Sequence, residues 1–150
     1  MPQSLAHMLV HLIFSTKDRK PVLSKEVREE LNAYIVGILH HYNCHPIIVK
    51  AVEDHVHILF FLAKDVALSK AVERVKSSSS KWIKTKSPAL ANFRWQYGYS
   101  AFSVSQSNTD TVRAYIARQE EHHRKVSFMD EVKKFLDKHK IEYDDRYLWD

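Results

Sequence analysis

Two short runs in this chain pair side chains that can do chemistry. The first is His55-Val56-His57. In an extended segment, side chains at i and i+2 point to the same face, about 7 Å apart along the strand. Two imidazoles so placed can converge on one metal ion from adjacent pleats. The same spacing fits a pair of partly exposed histidines with no ligand, and the triplet alone does not separate the two. The second run is Tyr115-Ile-Ala-Arg-Gln119. Residues four apart share a helical face, so a phenol and an amide stand side by side. The plainer alternative makes Tyr115 a core residue of an amphipathic helix and Gln119 its exposed neighbour.

A third feature is basic and aromatic: Lys17, Arg19, Lys20, Arg74, Lys76, Lys81, Trp82 and Lys84. Cationic side chains neutralise phosphates, and aromatic rings stack on unpaired bases. An ordinary solvated helix face, with Trp82 turned into the core, accounts for the same residues. Among the spare histidines, His7 and His11 share a face of the first apolar run, and His122-His123 follows Gln119. Any of them could add a ligand. The chain has no Gly-rich phosphate loop, no Ser-centred nucleophile elbow and no Cys-x-x-Cys pair. Chemistry built on those motifs is therefore excluded.

Regular elements must position these groups. Leu5 to Thr16 is apolar and in part β-branched, and a charged cluster ending in Pro21 closes it, which predicts a buried first strand. Ser24 can cap a helix whose stripe is Val27, Leu31, Tyr34, Ile35, Ile38 and Tyr42. Pro46 to Val52 and His55 to Leu62 read as strands joined by a tight break at Glu53-Asp54, a hairpin. Leu68, Ala71, Val72, Val75, Ser79 and Trp82 share one face of a second helix that carries Ser77 to Ser80 in helical phase. Gln96 to Ser105 reads as a fourth strand. Asn108 or Thr109 can cap a third helix, with Val112, Tyr115, Ile116 and Gln119 on one face. Ser127 caps a fourth, with Phe128, Val132, Phe135 and Leu136 inward.

The order β-α-β-β-α-β, then two helices, is the split βαβ or ferredoxin-like pattern. The predicted class is α+β: an antiparallel sheet of about four strands with helices on one face, plus C-terminal helices carrying the tyrosine. Val56, Ile58, Phe60 and Leu62 would face the core beneath the helices. His55 and His57 would then lie on the open face, within reach of a ligand.

Composition sets the outer limits. A length of 150 residues fits one domain over 1–150, and two glycines argue against long linkers. A net charge of +5 suits a polyanionic partner such as nucleic acid. Cys44 is the lone cysteine, so no intrachain disulfide forms, in keeping with a reducing cytoplasm. It reads as a small buried residue. Leu5 to Phe14 is too short to span a bilayer, and the N-terminus shows no signal-peptide pattern. The expectation is a soluble cytoplasmic protein with no membrane association.

Together the pieces resemble the single-tyrosine HUH transposases of small bacterial and archaeal insertion sequences, where HUH denotes His, a bulky hydrophobic residue, His. The resemblance rests on Asp54-His55-Val56-His57-Ile58-Leu59 and on His11-Leu-Ile-Phe-Ser-Thr-Lys-Asp-Arg19. It includes Ser79-Ser-Lys-Trp-Ile83, Trp95-Gln-Tyr-Gly-Tyr-Ser-Ala-Phe-Ser-Val104, and Val112-Arg-Ala-Tyr-Ile-Ala-Arg-Gln119 followed by His122-His123. It covers nearly the whole chain. It implies that Tyr115 attacks a phosphodiester in single-stranded DNA, forming a 5′-phosphotyrosine link and releasing a 3′-hydroxyl. It further implies that His55, His57 and Gln119 bind one divalent ion, Mg2+ or Mn2+, that no nucleotide cofactor is needed, and that a homodimer grips subterminal DNA hairpins. Three rivals predict different behaviour. A domesticated relative would cleave a chromosomal repeat, a non-catalytic nucleic-acid-binding module of the same fold would bind without cleaving, and a metal hydrolase would use activated water.

Overall fold

Strand β1 (Leu9–Ser15) is buried along its whole length, so both faces of the sheet at its centre are covered. This follows from the computed structural model, which describes residues 2–123 and 125–150. The first strand is shorter than its apolar run, because Leu5 and Met8 project into solvent. Helix α1 (Lys25–His41) follows, capped by the Ser24 hydroxyl, which accepts the Val27 N–H. Then come β2 (His45–Ala51), β3 (His55–Phe61) and α2 (Leu68–Lys84). Glu53-Asp54 makes the tight hairpin turn between β2 and β3, closed by the Val52 N–H donating to the His55 carbonyl. Strand β4 (Ser100–Ser103) leads to α3 (Thr109–Ala117), α4 (Gln119–His122) and α5 (Phe128–Lys138).

The sheet order is β2-β3-β1-β4, with every neighbouring pair antiparallel. That is the ferredoxin-like arrangement expected from the order of elements. Helices α1 and α2 cover one face. Leu12, Phe14, Val56, Ile58 and Phe60 from the central strands pack there against Leu31, Ile35, Leu39, Val72, Val75 and Ile83. The other face carries Leu9, Ile13, Leu59 and Phe102, roofed by Ile116 of α3 and by Phe128, Val132 and Leu136 of α5.

Two departures from the sequence reading have local causes. The fourth strand is confined to Ser100–Ser103 rather than running from Gln96. The Lys76 ammonium of α2 donates to the carbonyls of Gln96, Tyr97 and Gly98 at 2.5, 2.9 and 2.9 Å, and although the Gln96 N–H still reaches the Ser15 carbonyl, the chain leaves the ladder from Tyr97 until Ser100. Lys76 is thus committed inward rather than to a solvated face, and burial pulls its pKa down to about 8. The third predicted helix divides at Arg118 (φ −100°, ψ 22°), so Tyr115 and Gln119 belong to consecutive helices. The serine run is helical, as expected, and Ser79 is buried, accepting the Trp95 indole N–H at 3.0 Å.

Candidate functional site

His55 and His57 lie on the β3 face opposite α1 and α2, as the alternation requires. The face is closed, however: α3, α4 and α5 lie over it, and both rings are 0% exposed. The expectation of an open sheet face is corrected by these C-terminal helices, whose apolar stripe needs a surface to cover. The His55 ring packs against Phe128, with centroids 4.5 Å apart.

Each histidine is held in place from behind. His55 Nδ1 is 2.7 Å from Asp54 Oδ1. A carboxylate accepts but does not donate, so Nδ1 carries the proton and the Nε2 lone pair points away into the site. A carboxylate fixing the far nitrogen of an imidazole is the usual support for a metal ligand. Burial would raise the Asp54 carboxyl, but the His55 bond outweighs it and leaves the pKa below its ordinary value. His57 Nδ1 is 2.8 Å from His11 Nε2, so His11 reaches across from β1 as a structural support. His7, outside the strand, stacks on Phe61 instead. Burial drives the His57 pKa down to about 4, against the pull of Glu131, and lowers that of His11 as well. Both rings are therefore neutral at pH 7, with His57 Nε2–H donating to the Glu131 carboxylate and Nδ1 accepting from His11 Nε2.

The second group comes from α3 and α4. Tyr115, Gln119, His122 and His123 follow the i, i+4, i+7, i+8 spacing of one helical face, and the break at Arg118 does not scatter them. The Tyr115 and His57 ring centroids are 6.1 Å apart, and those of His123 and His55 are 4.2 Å apart. Tyr115 and Gln119, singled out from sequence, thus meet the histidine pair within one chain.

Glu131 of α5 is the residue that sequence reasoning missed. Its carboxylate is only 2% exposed and stands where the other groups meet. Oε1 lies 3.0 Å from His57 Nε2, 3.2 Å from His123 Nε2 and 3.9 Å from His55 Nε2. Oε2 accepts from the Tyr115 hydroxyl and from Gln119 Nε2 at 3.3 Å, with His122 Nε2 at 3.1 Å. Burial alone would raise this carboxyl, but the bonds from His123 and His57, then Tyr115, hold it well below the ordinary carboxylate range. The Tyr115 phenol is shifted the other way: burial first, then the neighbouring carboxylate, push its pKa up. A visible signal for Glu131 did exist. It falls on the apolar stripe of its own helix, among Phe128, Val132, Phe135 and Leu136.

The donor set fits a cation. Ligand atoms of His55, His57, His123 and Glu131 all lie within 4.8 Å of one another. His55 Nε2 and Gln119 Oε1 are buried and lack a hydrogen-bond partner among the described residues. Both are acceptors, and buried acceptors without a donor cost roughly 1–3 kcal/mol each. A metal ion satisfies them together.

The basic residues of α2 are not brought to this site, since α2 covers the opposite face. Arg74 lies over the Tyr42 ring, and Trp82 stacks on Tyr34. Lys17 and Lys20, with Arg94, instead line a separate cavity of about 340 Å³ beyond the end of β1. Cys44 is buried and accepts the Ala63 N–H, a packing role as expected. No helix among the described residues is long and apolar enough to cross a membrane.

The four-stranded antiparallel sheet, with the His-Val-His triplet on one face and a tyrosine helix laid over it, can now be compared with known proteins. The family model described as "Transposase IS200 like" matches residues 4–119, more than half of the chain. The chain belongs to this IS200-like transposase family. It is 26% identical over 114 residues to the ISDra2 transposase TnpA of Deinococcus radiodurans, a match covering 73% of this chain and 81% of that protein. A crystal structure described as a candidate transposase from Deinococcus radiodurans superposes with a TM-score of 0.62 at 23% identity, covering 79% of this chain and 98% of the other. A REP-associated tyrosine transposase, solved bound to a REP hairpin, gives a TM-score of 0.61 at 14% identity, covering 84% of this chain and 76% of the other. At those identities the two solved structures attest the fold alone.

Proposed function

We propose that this chain cleaves and rejoins single-stranded DNA at insertion-sequence ends through a covalent 5′-phosphotyrosine intermediate on Tyr115. The observation that carries this reading is the convergence of the Tyr115 hydroxyl, the His55–His57 pair and Gln119 around one buried point in a single chain. The Tyr115 oxygen attacks phosphorus, the bond to the 3′-oxygen breaks, and the phenolic proton leaves through a neighbouring acceptor while the 3′-hydroxyl takes one up. The reverse attack by another strand's 3′-hydroxyl releases the tyrosine and reseals the backbone, so no nucleotide energy source is required. His55, His57 and Gln119 would hold a divalent cation, Mg2+ or Mn2+. Bound there, it supplies positive charge to the scissile phosphate.

The DNA partner in this reading is single-stranded and carries subterminal hairpins, and the protein acts as a homodimer in the cytoplasm. Support for hairpin binding comes from the fold shared with the REP-associated transposase. The test is incubation with a single-stranded element end and Mn2+. A protein–DNA adduct that survives denaturation should form, and Tyr115→Phe should abolish it while leaving DNA binding in place. His57→Ala should reduce metal binding and cleavage together. An adduct persisting in Tyr115→Phe refutes the nucleophile. Cleavage without any adduct points to activated water, and hairpin binding without cleavage to a non-catalytic module.

A further inference from the structure

We infer that Glu131 is an anionic ligand of the metal site, adding a carboxylate to the His55, His57 and Gln119 set and linking the ion to the nucleophile. This rests on the reading of His55 and His57 as metal ligands. The family match ends at Gln119, so a role for Glu131 is not something that match implies.

The argument begins with the cost of burying a carboxylate. Taking one out of water costs several kcal/mol unless it is paired. Glu131 is buried, yet no Lys or Arg side chain lies in ion-pair contact with it among the described residues. Its neighbours are instead the imidazoles of His57, His122 and His123, the Gln119 amide and the Tyr115 phenol. The carboxylate is therefore held by hydrogen bonds from these groups, with no ammonium or guanidinium beside it among the described residues.

The lone pairs sharpen the point. His55 Nε2 must be an acceptor, because Nδ1–H is committed to Asp54. Gln119 donates to Glu131 through Nε2, which leaves its Oε1 an acceptor without a partner. Glu131 Oε1, which already accepts from His57 Nε2 and His123 Nε2, is an acceptor as well and lies 3.9 Å from His55 Nε2. Acceptors gathered in one buried space are matched by a cation, and a hydrogen bond between any two of them is impossible.

Glu131 also has two oxygens with separate tasks. Oε1 faces the histidines, and Oε2 takes the Tyr115 hydroxyl. One carboxylate thereby fixes the distance between ion and nucleophile. It changes the ion's chemistry too. Three neutral ligands leave a dication with its full charge, whereas one carboxylate halves it. A hard oxygen ligand also moves preference toward Mg2+ and Mn2+ and away from metals that favour nitrogen. The arrangement is carried by α5, whose Phe128, Val132 and Leu136 pack under it.

The experiment is a titration of the full-length chain with Mn2+, following the free ion by electron paramagnetic resonance. Wild type, Glu131→Gln, Glu131→Asp and His57→Ala are compared without DNA. Glu131→Gln preserves shape and removes charge, and it should raise the Mn2+ Kd at least about tenfold, because affinity at such sites follows ligand charge. Competition with Co2+ should show the same variant shifting preference from Mn2+ toward Co2+. If Glu131→Gln binds Mn2+ within twofold of wild type, or more tightly, the inference is overturned and the carboxylate is only a plug in the site. If Glu131→Gln does not fold, Glu131→Asp carries the test: its shorter reach should raise the Kd, and an unchanged Kd refutes ligation. His57→Ala separates the levels. Should it also leave the Mn2+ Kd unchanged, the metal-site reading itself fails.

Discussion

Asp54→Asn tests how the proposed metal site is prepared before any ion arrives. The His55 ring is fully buried, so water cannot replace a lost partner, and among the described residues Nδ1 has the single acceptor Asp54 Oδ1 at 2.7 Å. An asparagine can meet Nδ1 in two ways. Its carbonyl oxygen preserves the tautomer but removes the negative charge that makes the imidazole a better donor. Its amide nitrogen forces the proton onto Nε2 and removes the lone pair altogether. Changes at such supporting groups lower metal affinity about 10–100-fold. That is about 1.4–2.8 kcal/mol at 1.4 kcal/mol per tenfold step. The side chain of Asp54 is itself 29% exposed, so direct attraction between its charge and the ion adds little to this. The Mn2+ Kd of Asp54→Asn, measured alongside the variant's melting temperature, should rise by that factor without loss of the fold. A Kd within twofold of wild type would mean that Asp54 does not set the His55 tautomer, and the claim of a prepared ligand would fall.

Acid should destabilise the fold before it reaches ordinary carboxylate pKa values. His57 titrates near 6.5 when unfolded but near 4 when folded, so between those values the unfolded chain binds more protons. The stabilisation is present above pH 6.5 and is lost as pH falls toward 4, on the order of 3 kcal/mol at 1.36 kcal/mol per pKa unit. Melting curves at pH 7.5, 6 and 5 should fall in that order, and a flat or rising series contradicts the burial argument. Ser79→Ala should cost about 1–3 kcal/mol in urea unfolding, because it strands the buried Trp95 N–H, whereas exposed Ser77→Ala should stay within about 0.5 kcal/mol. Equal effects from the two would refute the bond's role. Leu136→Ala removes the α5 anchor over the sheet and should cost about 2–5 kcal/mol in the same assay. A loss below 1 kcal/mol would mean that α5 is not packed as described.

The order of elements was legible because each strand and helix carries its own periodicity, and the Ser24 and Ser127 caps mark two helix starts. What escaped depends on distant partners. Leu5 and Met8 are apolar like Leu9, yet their side chains face solvent, and β1 ends although the Met8 carbonyl still accepts the Leu62 N–H. Nothing in Gln96-Tyr97-Gly98 announces that Lys76, twenty positions earlier in the chain, will gather its carbonyls. The break at Arg118 has no glycine or proline to mark it.

The site divides along the same line. His55, His57, Tyr115 and Gln119 stand out by type and spacing, since strand and helix periods put each pair on a common face. Glu131 does not, because a lone glutamate on an amphipathic helix is normally solvated. Its position on the apolar stripe was the exception that mattered: a carboxylate placed there must find compensation inside the fold. That compensation ties α5 to the histidines and closes the face that alternation alone leaves open. Closure constrains the proposed reaction. With Phe128 against His55, approach from that side is sealed. A cavity of about 290 Å³ bordered by Tyr115, His122, Glu131, Lys134 and Lys138 lies beside the site. On the proposed reading, a phosphodiester enters there, guided by the two lysines, and meets the Tyr115 hydroxyl before the buried histidines. The nucleophile then lies between the solvent and the metal site, and the Glu131 carboxylate, bonded to both, must yield the Tyr115 hydroxyl before the attack can begin.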